Sequence, residues 1–374
     1  MISFSRTDNS VMARWWWTID RWTVAAIGLL IVFGVMLTMA ASPPVADRLG
    51  YDSFHFVRRQ LIYLPLAITM LIAVSLLSPL GVRRLALSAF VIALALVAVT
   101  LLFGDEIKGA RRWISIAGLT VQPSEFVKPC FAVLAAWLFA LRGDDGRHIG
   151  RSASILLYGL VVGLLLMQPD VGMAVVISAV WFSQFFLAGL PLLGVALFVV
   201  TGLAGAVAAY FLLPHVASRV DRFIDPASGD SYQVMRSMEA FTKGGAFGRG
   251  PGEGSVKSVL PDAHTDFVFA VAGEEFGLFA CLILVGLFAF IVLRGFTQVI
   301  KETNLFVMLA ATGLLVQFGL QSLVNMGSTL RLMPTKGMTL PFISYGGASL
   351  MAIALCMGMV LALTRRRVGQ EIAT

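Results

Sequence analysis

The stretch Leu260–Phe290, LPDAHTDFVFAVAGEEFGLFACLILVGLFAF, decides the fold. From residue 266 to about 293 it is apolar for long enough to cross a bilayer, yet it opens on a carboxylate, Asp266. A charge at a membrane boundary is costly unless it is solvated, paired or used. A helix N-cap is one reading: Asp266, or Thr265 before it, would accept a hydrogen bond from the first free N–H groups. Chemistry is the other. Glu274 and Glu275 follow in the same run, but at about 100° per residue neither shares the face of Asp266. A pair of carboxylates acting together within this helix, as in a glycosidase, is therefore not expected.

The rest of the chain has the same character. Of 374 residues, 58% are hydrophobic and only 13% charged, a composition far from that of soluble domains. Apolar stretches long enough to span fall at 22–41, 61–78, 85–103, 124–141, 152–167, 171–188, 190–213, 266–293, 304–325 and 343–364. The expected fold is all-α, a polytopic integral membrane protein with about ten transmembrane helices. It forms one membrane domain over 1–374, with tails at 1–21 and 365–374 and a large extracytoplasmic loop, 214–265, between helices seven and eight. Ala40-Ala41-Ser42 resembles a signal-peptide cleavage site, but the apolar stretch before it is longer than a signal core, so it reads as a retained helix.

An even number of crossings puts both termini on one side. Arg6, Arg14 and Arg21 precede the first helix, Arg365, Arg366 and Arg367 follow the last, and Arg83, Arg84, Arg142, Arg147, Arg151, Arg294 and Lys301 fall on the same side. The positive-inside rule makes that side cytoplasmic. The other side carries about as many cations, concentrated in 104–123, 214–265 and 326–342, which suits segments that hold an anion. The net charge of +7 is not accompanied by a basic helix or an aromatic-interleaved basic stripe, so no nucleic-acid partner is expected. Cys130, Cys281 and Cys356 lie in apolar runs and behave as small hydrophobes. His55, His148, His215 and His264 show no ligand spacing.

Polar residues of the outer side gather at four places. The first, Lys108–Lys128, holds Lys108, Arg111 and Arg112 beside Trp113, with Glu125 and Lys128 three apart on one helix face. The second is Gln168-Pro169-Asp170, where proline stops one helix and the aspartate can cap the next. The third is His264-Thr265-Asp266. The fourth, Ser328–Ser349, carries Arg331, Lys336, Ser344 and Tyr345 followed by Gly346-Gly347, where small residues also suit helix packing. Gly244–Ser255, GGAFGRGPGEGS, lacks the Gly-Lys-Ser/Thr ending of a phosphate loop and no strand precedes it; it reads as a flexible surface loop. Together the clusters suit a lipid-linked polyanion whose head projects from the outer leaflet.

GARRWISIAGLTVQPSEFVK, QPDVG, LPDAHTDFVFAVAGEE and PTKGMTLPFISYGG resemble, in order, the signature motifs of the SEDS (shape, elongation, division and sporulation) family, over nearly the whole chain. AHTDF and the last motif are closer to the division branch than to the elongation branch. The resemblance implies a ten-helix peptidoglycan glycosyltransferase that polymerises lipid II, an undecaprenyl-pyrophosphate-linked disaccharide-peptide, on the outer face of the bacterial plasma membrane at the division septum. It also implies a cognate class B penicillin-binding protein as transpeptidase partner, alongside other division membrane proteins. It makes Asp266 the catalytic residue and gives importance to Trp113, Glu125 and Lys128.

Glycan polymerisation requires a base for the attacking hydroxyl and positive charge on the departing pyrophosphate. Asp266 is the candidate base. Arg111, Arg112, Lys128 and Lys336 are candidates for the pyrophosphate, and Trp113, Glu125, His264, Thr265, Ser344 and Tyr345 complete the expected substrate site. A divalent cation, Mg2+ or Mn2+, held by Asp266 would be the alternative source of positive charge. The rival functional classes are a lipid II flippase or other transporter, and an inactive scaffold. Within the family, an elongation-type polymerase is the alternative. Transporters tend to show paired broken helices in repeated halves with charges near mid-membrane; this sequence shows no internal repeat, and its charges gather at one face.

Overall fold

The computed structural model describes residues 10–107, 110–116, 119–141, 150–189, 191–225, 232–334 and 337–366. Lys336 lies outside the described residues, as do Arg6, Lys108, Arg142, Arg147, His148 and Arg367. Ten apolar helices stand where the sequence places them. They are α2 (Arg21–Arg48), α3 (His55–Ser75), α4 (Pro79–Phe103), α5 (Pro123–Ala140), α6 (Gly150–Met167), α7 (Val171–Leu187), α8 (Leu192–Leu212), α11 (Val268–Val299), α12 (Leu305–Thr329) and α13 (Gly347–Thr364). Nine of them are long and apolar enough to cross a membrane, and α7, at 17 residues, is the shorter exception. At 1.5 Å rise per residue α7 is about 25 Å long, near the lower limit for a span.

Local chemistry sets several helix starts. Ser78 accepts from the Gly81 N–H at 3.1 Å with Pro79 in the first turn of α4, Asp170 accepts from Met173 N–H at 3.2 Å, and Asn304 from Val307 N–H at 3.1 Å. Each satisfies an N–H that has no partner within its helix. For Asp170 this is the capping role that its position after Pro169 predicts.

α5, α12 and α13 form the centre of the bundle, with both small and large side chains buried along most of their length. α3 packs along α13, and α4 along α5. The outer helices turn leucine, isoleucine and valine outward, as a lipid solvent permits. α8 is the extreme case: none of its residues is buried, and Phe198 meets the bundle by stacking 4.3 Å from Phe182.

Three features go beyond the helix pattern. A short antiparallel sheet, β1 (Asp105–Ile107), β2 (Ala110–Ile116) and β3 (Leu119–Val121), folds the segment between α4 and α5. The 214–265 segment contains α9 (Pro214–Ile224) and α10 (Tyr232–Gly244), and an amphipathic helix, α1 (Val11–Thr18), precedes the first span. Most important for the site, α11 is broken at Gly277, whose φ of 76° and ψ of −173° are not helical. Such a φ suits glycine. The apolar run that looked like one span is therefore two pieces. Val268–Glu275 is buried in protein along its whole length, whereas lipid-type exposure begins at Leu278.

Candidate active site

Asp266 sits in a tight turn before α11. The N–H groups of Thr265, Asp266 and Phe267 all donate to the carbonyl of Asp262, at 3.1, 3.1 and 3.2 Å. The N-cap of α11 is Phe267, with no side-chain cap hydrogen bond, and the Thr265 hydroxyl donates back to Asp262 O at 3.2 Å. Neither Thr265 nor Asp266 is the helix cap, so the purely structural reading of this aspartate loses its basis.

The half-buried Asp266 side chain faces Gly337, where φ is +61° and an added Cβ would stand 3.3 Å from Oδ2. The segment after Gly337 wraps around the turn. Ser344 Oγ donates to Thr265 O at 2.6 Å and accepts from Leu340 N–H at 2.7 Å, and Tyr345 N–H donates to His264 O at 2.9 Å. Thus His264, Thr265, Asp266, Ser344 and Tyr345, far apart in sequence, form one rim.

His264 is 7% exposed, with its ring 4.3 Å from Phe56 and 5.4 Å from Tyr345. Burial pushes its pKa down to about 4, with Asp262 opposing and Arg48 assisting. It is neutral at neutral pH and supplies no charge to a pyrophosphate. The Tyr345 phenol is pushed up by burial, against the opposing effect of Arg59, which donates a hydrogen bond to its oxygen. Arg59 thereby joins the rim, a cation that the sequence pattern did not single out.

Glu125 and Lys128 form the expected ion pair at 2.9 Å, with side chains 11% and 2% exposed. Lys128 Nζ also donates to Gln321 Oε1 at 2.9 Å, and Gln321 Nε2 donates to Thr339 O at 3.1 Å. One turn further along α12, Asn325 Nδ2 donates to Asp266 O at 2.9 Å and to Met338 O at 2.6 Å. Gln321 and Asn325 are therefore the brackets that join the lysine cluster, the Asp266 turn and the 337–345 segment. Sequence reasoning missed them, although Gln317, Gln321 and Asn325 recur every four residues in an apolar helix, a polar stripe at helical spacing.

Arg112 is engaged within the protein. The β1–β2 register pairs Glu106 with Arg111 and Asp105 with Trp113, so Arg112 is the extra residue of a β-bulge. Arg112 Nε donates to Gln168 O at 2.9 Å, Nη2 to Pro169 O at 2.5 Å, and Nη1 lies 3.6 Å from Asp170 Oδ2. Its fork ties β2 to the α6–α7 turn. A bulge re-aims the side chain it carries, a displacement that residue spacing in the sequence does not mark.

Gly244–Ser255 is packed, not loose. The N–H groups of Arg249 and Gly250 donate to Glu274 O and Glu275 O, both at 3.0 Å, and Leu278 N–H donates to Gly245 O at 2.9 Å. The segment thus supplies partners to the backbone groups that the break at Gly277 frees. At Gly248, φ is +79° and a Cβ would lie 2.1 Å from Glu275 O, so glycine here serves close approach. The buried Glu274 carboxylate accepts from the N–H groups of Ser255 (2.7 Å), Val256 (2.7 Å) and Lys257 (3.1 Å), while Glu275 is paired with Lys257 Nζ.

The family model of FtsW/RodA/SpoVE cell cycle proteins matches residues 21–368. The chain belongs to this family, the SEDS proteins. A Caulobacter vibrioides protein named "Probable peptidoglycan glycosyltransferase FtsW" is 45% identical over 369 residues, covering 98% of this chain and 94% of the relative. A Coxiella burnetii protein of the same name is 35% identical, covering 92% and 96%. Among solved structures, a chain of a peptidoglycan synthase complex that coordinates polymerization and crosslinking superposes with a TM-score of 0.75 at 31% identity, covering 92% of this chain and 97% of that one. The rod shape determining protein RodA of Thermus thermophilus superposes at 0.67 with 28% identity, covering 93% and 97%. The chain is a polytopic SEDS membrane protein of the peptidoglycan glycosyltransferase class.

Proposed function

We propose that this SEDS chain polymerises lipid II into glycan strands on the outer face of the plasma membrane at the division septum, with Asp266 as general base. The 4-hydroxyl of one saccharide would attack the anomeric carbon of the other chain; Asp266 takes the hydroxyl proton, and undecaprenyl pyrophosphate leaves. Support comes above all from the way α12 holds the two chemistries together: Gln321 grips Lys128, and Asn325, one turn away, grips the Asp266 backbone. A carboxylate fixed by its backbone needs little reorganisation when it accepts a proton. Positive charge for the pyrophosphate is assigned to Lys128, Arg111 and Lys336, with Trp113, Ser344 and Tyr345 lining the headgroup.

Among the described residues no three His, Cys, Asp or Glu side chains gather as a metal site. A divalent ion at Asp266 would need substrate phosphate oxygens to complete its shell, a pattern usual for Mg2+. A class B penicillin-binding protein is the partner we assign, in keeping with the synthase complex that the chain resembles.

The decisive experiment is turnover of lipid II by the purified chain in detergent, with and without a cognate transpeptidase, for wild type and Asp266→Asn. Product from wild type only supports the reading. One observation favours a transporter, the broken helix at Gly277, since transporters use such breaks. Detergent removes the two sides that transport requires, so polymer formed there excludes transport as the sole activity. Orientation is tested separately. Phe247, 82% exposed, replaced by cysteine should react with an impermeant thiol reagent on intact spheroplasts; labelling only after lysis would put the site on the cytoplasmic side.

A further inference from the structure

The end of the bundle remote from Asp266 carries a second constellation, built around α1. This helix buries Ala13 and Trp15, with Ile19 buried just beyond it, and exposes Arg14, Trp16 and Trp17. Trp15 Nε1 donates to Ser75 Oγ at the last residue of α3, at 2.8 Å, and the N–H of Arg366, just beyond α13, donates to Thr18 O at 3.1 Å. These contacts pin α1 to the ends of two spanning helices, at the level where a bilayer gives way to water.

The pinning gathers cations. Arg21 lies over the rings of Trp16 and Trp17, at 5.4 and 4.7 Å. Arg365, half-buried, has its pKa lowered chiefly by burial and further by the charge of Arg14. Like charges held this close oppose one another unless an anion answers them. Among the described residues none of Arg14, Arg21, Arg365 and Arg366 forms an ion pair. The nearby Asp20 is already engaged, by Arg294 at 2.6 and 2.7 Å and by Gln298 at 2.7 Å.

We propose that Arg14, Arg21, Arg365 and Arg366, with Trp16 and Trp17, bind the headgroup of an anionic phospholipid in the adjoining leaflet. The four guanidiniums answer the phosphate. The exposed indoles suit the headgroup level, where an amphipathic ring is stable, and Trp22, 66% exposed in the first turn of α2, extends the same belt into the membrane. A lipid is preferred to a soluble anion because the aromatic rim lies at the ends of the spans, where acyl chains and phosphates coexist.

The test uses the full chain in phosphatidylcholine nanodiscs containing brominated phosphatidylglycerol, or brominated phosphatidylcholine at the same mole fraction, with tryptophan fluorescence as readout. Wild type should be quenched more strongly by the anionic lipid, and the excess should disappear in Trp16→Phe/Trp17→Phe. Arg14→Gln/Arg365→Gln should weaken the preference about 30-fold, two surface cations at roughly 1 kcal/mol each. Arg249→Gln, an exposed cation of the other side, should leave it unchanged. The melting temperature of the double variant should not fall, because neither arginine has an ion-pair partner to lose among the described residues and Arg365 ceases to be a half-buried charge. Equal quenching by the two lipids in wild type would overturn the proposal. So would an excess that survives the arginine double variant, or one that inorganic phosphate abolishes at constant ionic strength.

Discussion

Asp266 and the pair Glu274–Glu275 lie within ten residues of one another, and their surroundings could hardly differ more. Glu274 and Glu275 are enclosed, one by three backbone N–H groups and the other by Lys257. Asp266 is fixed by its backbone while its side chain remains half exposed beside Gly337. Both oxygens of Glu274 are committed to backbone N–H groups, and one oxygen of Glu275 to Lys257. A carboxylate at a rim, on a rigid turn, keeps its capacity to react. The comparison teaches that the two glutamates build the platform, and it supports the proposed role of Asp266 as the base.

The largest effect expected from this contrast is on turnover. Asp266→Asn should lower lipid II polymerisation by about 10²–10⁴-fold, the usual worth of a general base, with the melting temperature near wild type because the residue does not cap α11. An active Asp266→Asn would move the catalytic residue elsewhere and erase the difference between the two regions. Glu274 and Lys257 should respond in the opposite sense. Lys257→Met leaves Glu275 buried without its cation and should cost on the order of 3–5 kcal/mol of stability, seen as a lower melting temperature and loss of folded protein. Were Lys257→Met as stable as wild type, the platform reading would be wrong.

Lys128→Ala falls between these. It should reduce turnover and also destabilise, since Glu125 and Gln321 both lose their partner. A folded, fully active variant would remove Lys128 from the site. Asn325→Leu should cost about 1–3 kcal/mol for the carbonyls left without a donor and reduce polymerisation by more than the loss of folded protein accounts for, because Asp266 loses its backbone anchor. Equal losses of activity and folded protein would make Asn325 purely structural.

The smallest effect concerns His264. Its folded pKa of about 4 lies below the ordinary 6.5, so the unfolded chain binds more protons between these values. The His264 contribution is therefore fully present above about pH 6.5 and is lost as pH falls towards about 4. A melting-temperature series over that window, compared with His264→Gln, should show a shallower acid slope in the variant. Identical slopes would mean that the ring is not buried neutral.

Much of the molecule was legible in the sequence because its cause is one-dimensional. Apolar length marked the ten helices, since lipid excludes unpaired backbone groups along any span. The spacing of Glu125 and Lys128 predicted their pairing because residues three apart are neighbours on a helix surface. The Gly277 break was not legible. Glycine between apolar residues leaves periodicity intact, and only the arrival of Gly244–Gly250 against Glu274–Phe279 makes a break tolerable. For the same reason the glycine-rich stretch read as flexible, when Gly244, Gly248 and Gly254 serve close approach.

What the sequence by itself determined is the class: a helical membrane protein of the SEDS family, with Asp266 and the Glu125–Lys128 pair as its marked residues. These follow from composition, short-range spacing and motif order. Only the tertiary structure decided which polar groups meet. It brought α12 between Lys128 and Asp266, turned Arg112 towards the Gln168–Asp170 turn, left His264 neutral, and enclosed Glu274 and Glu275 in the platform. The physical reason is that burial and hydrogen-bond partners are set by segments far apart along the chain, so a residue's charge and reach are properties of the fold as much as of its own side chain.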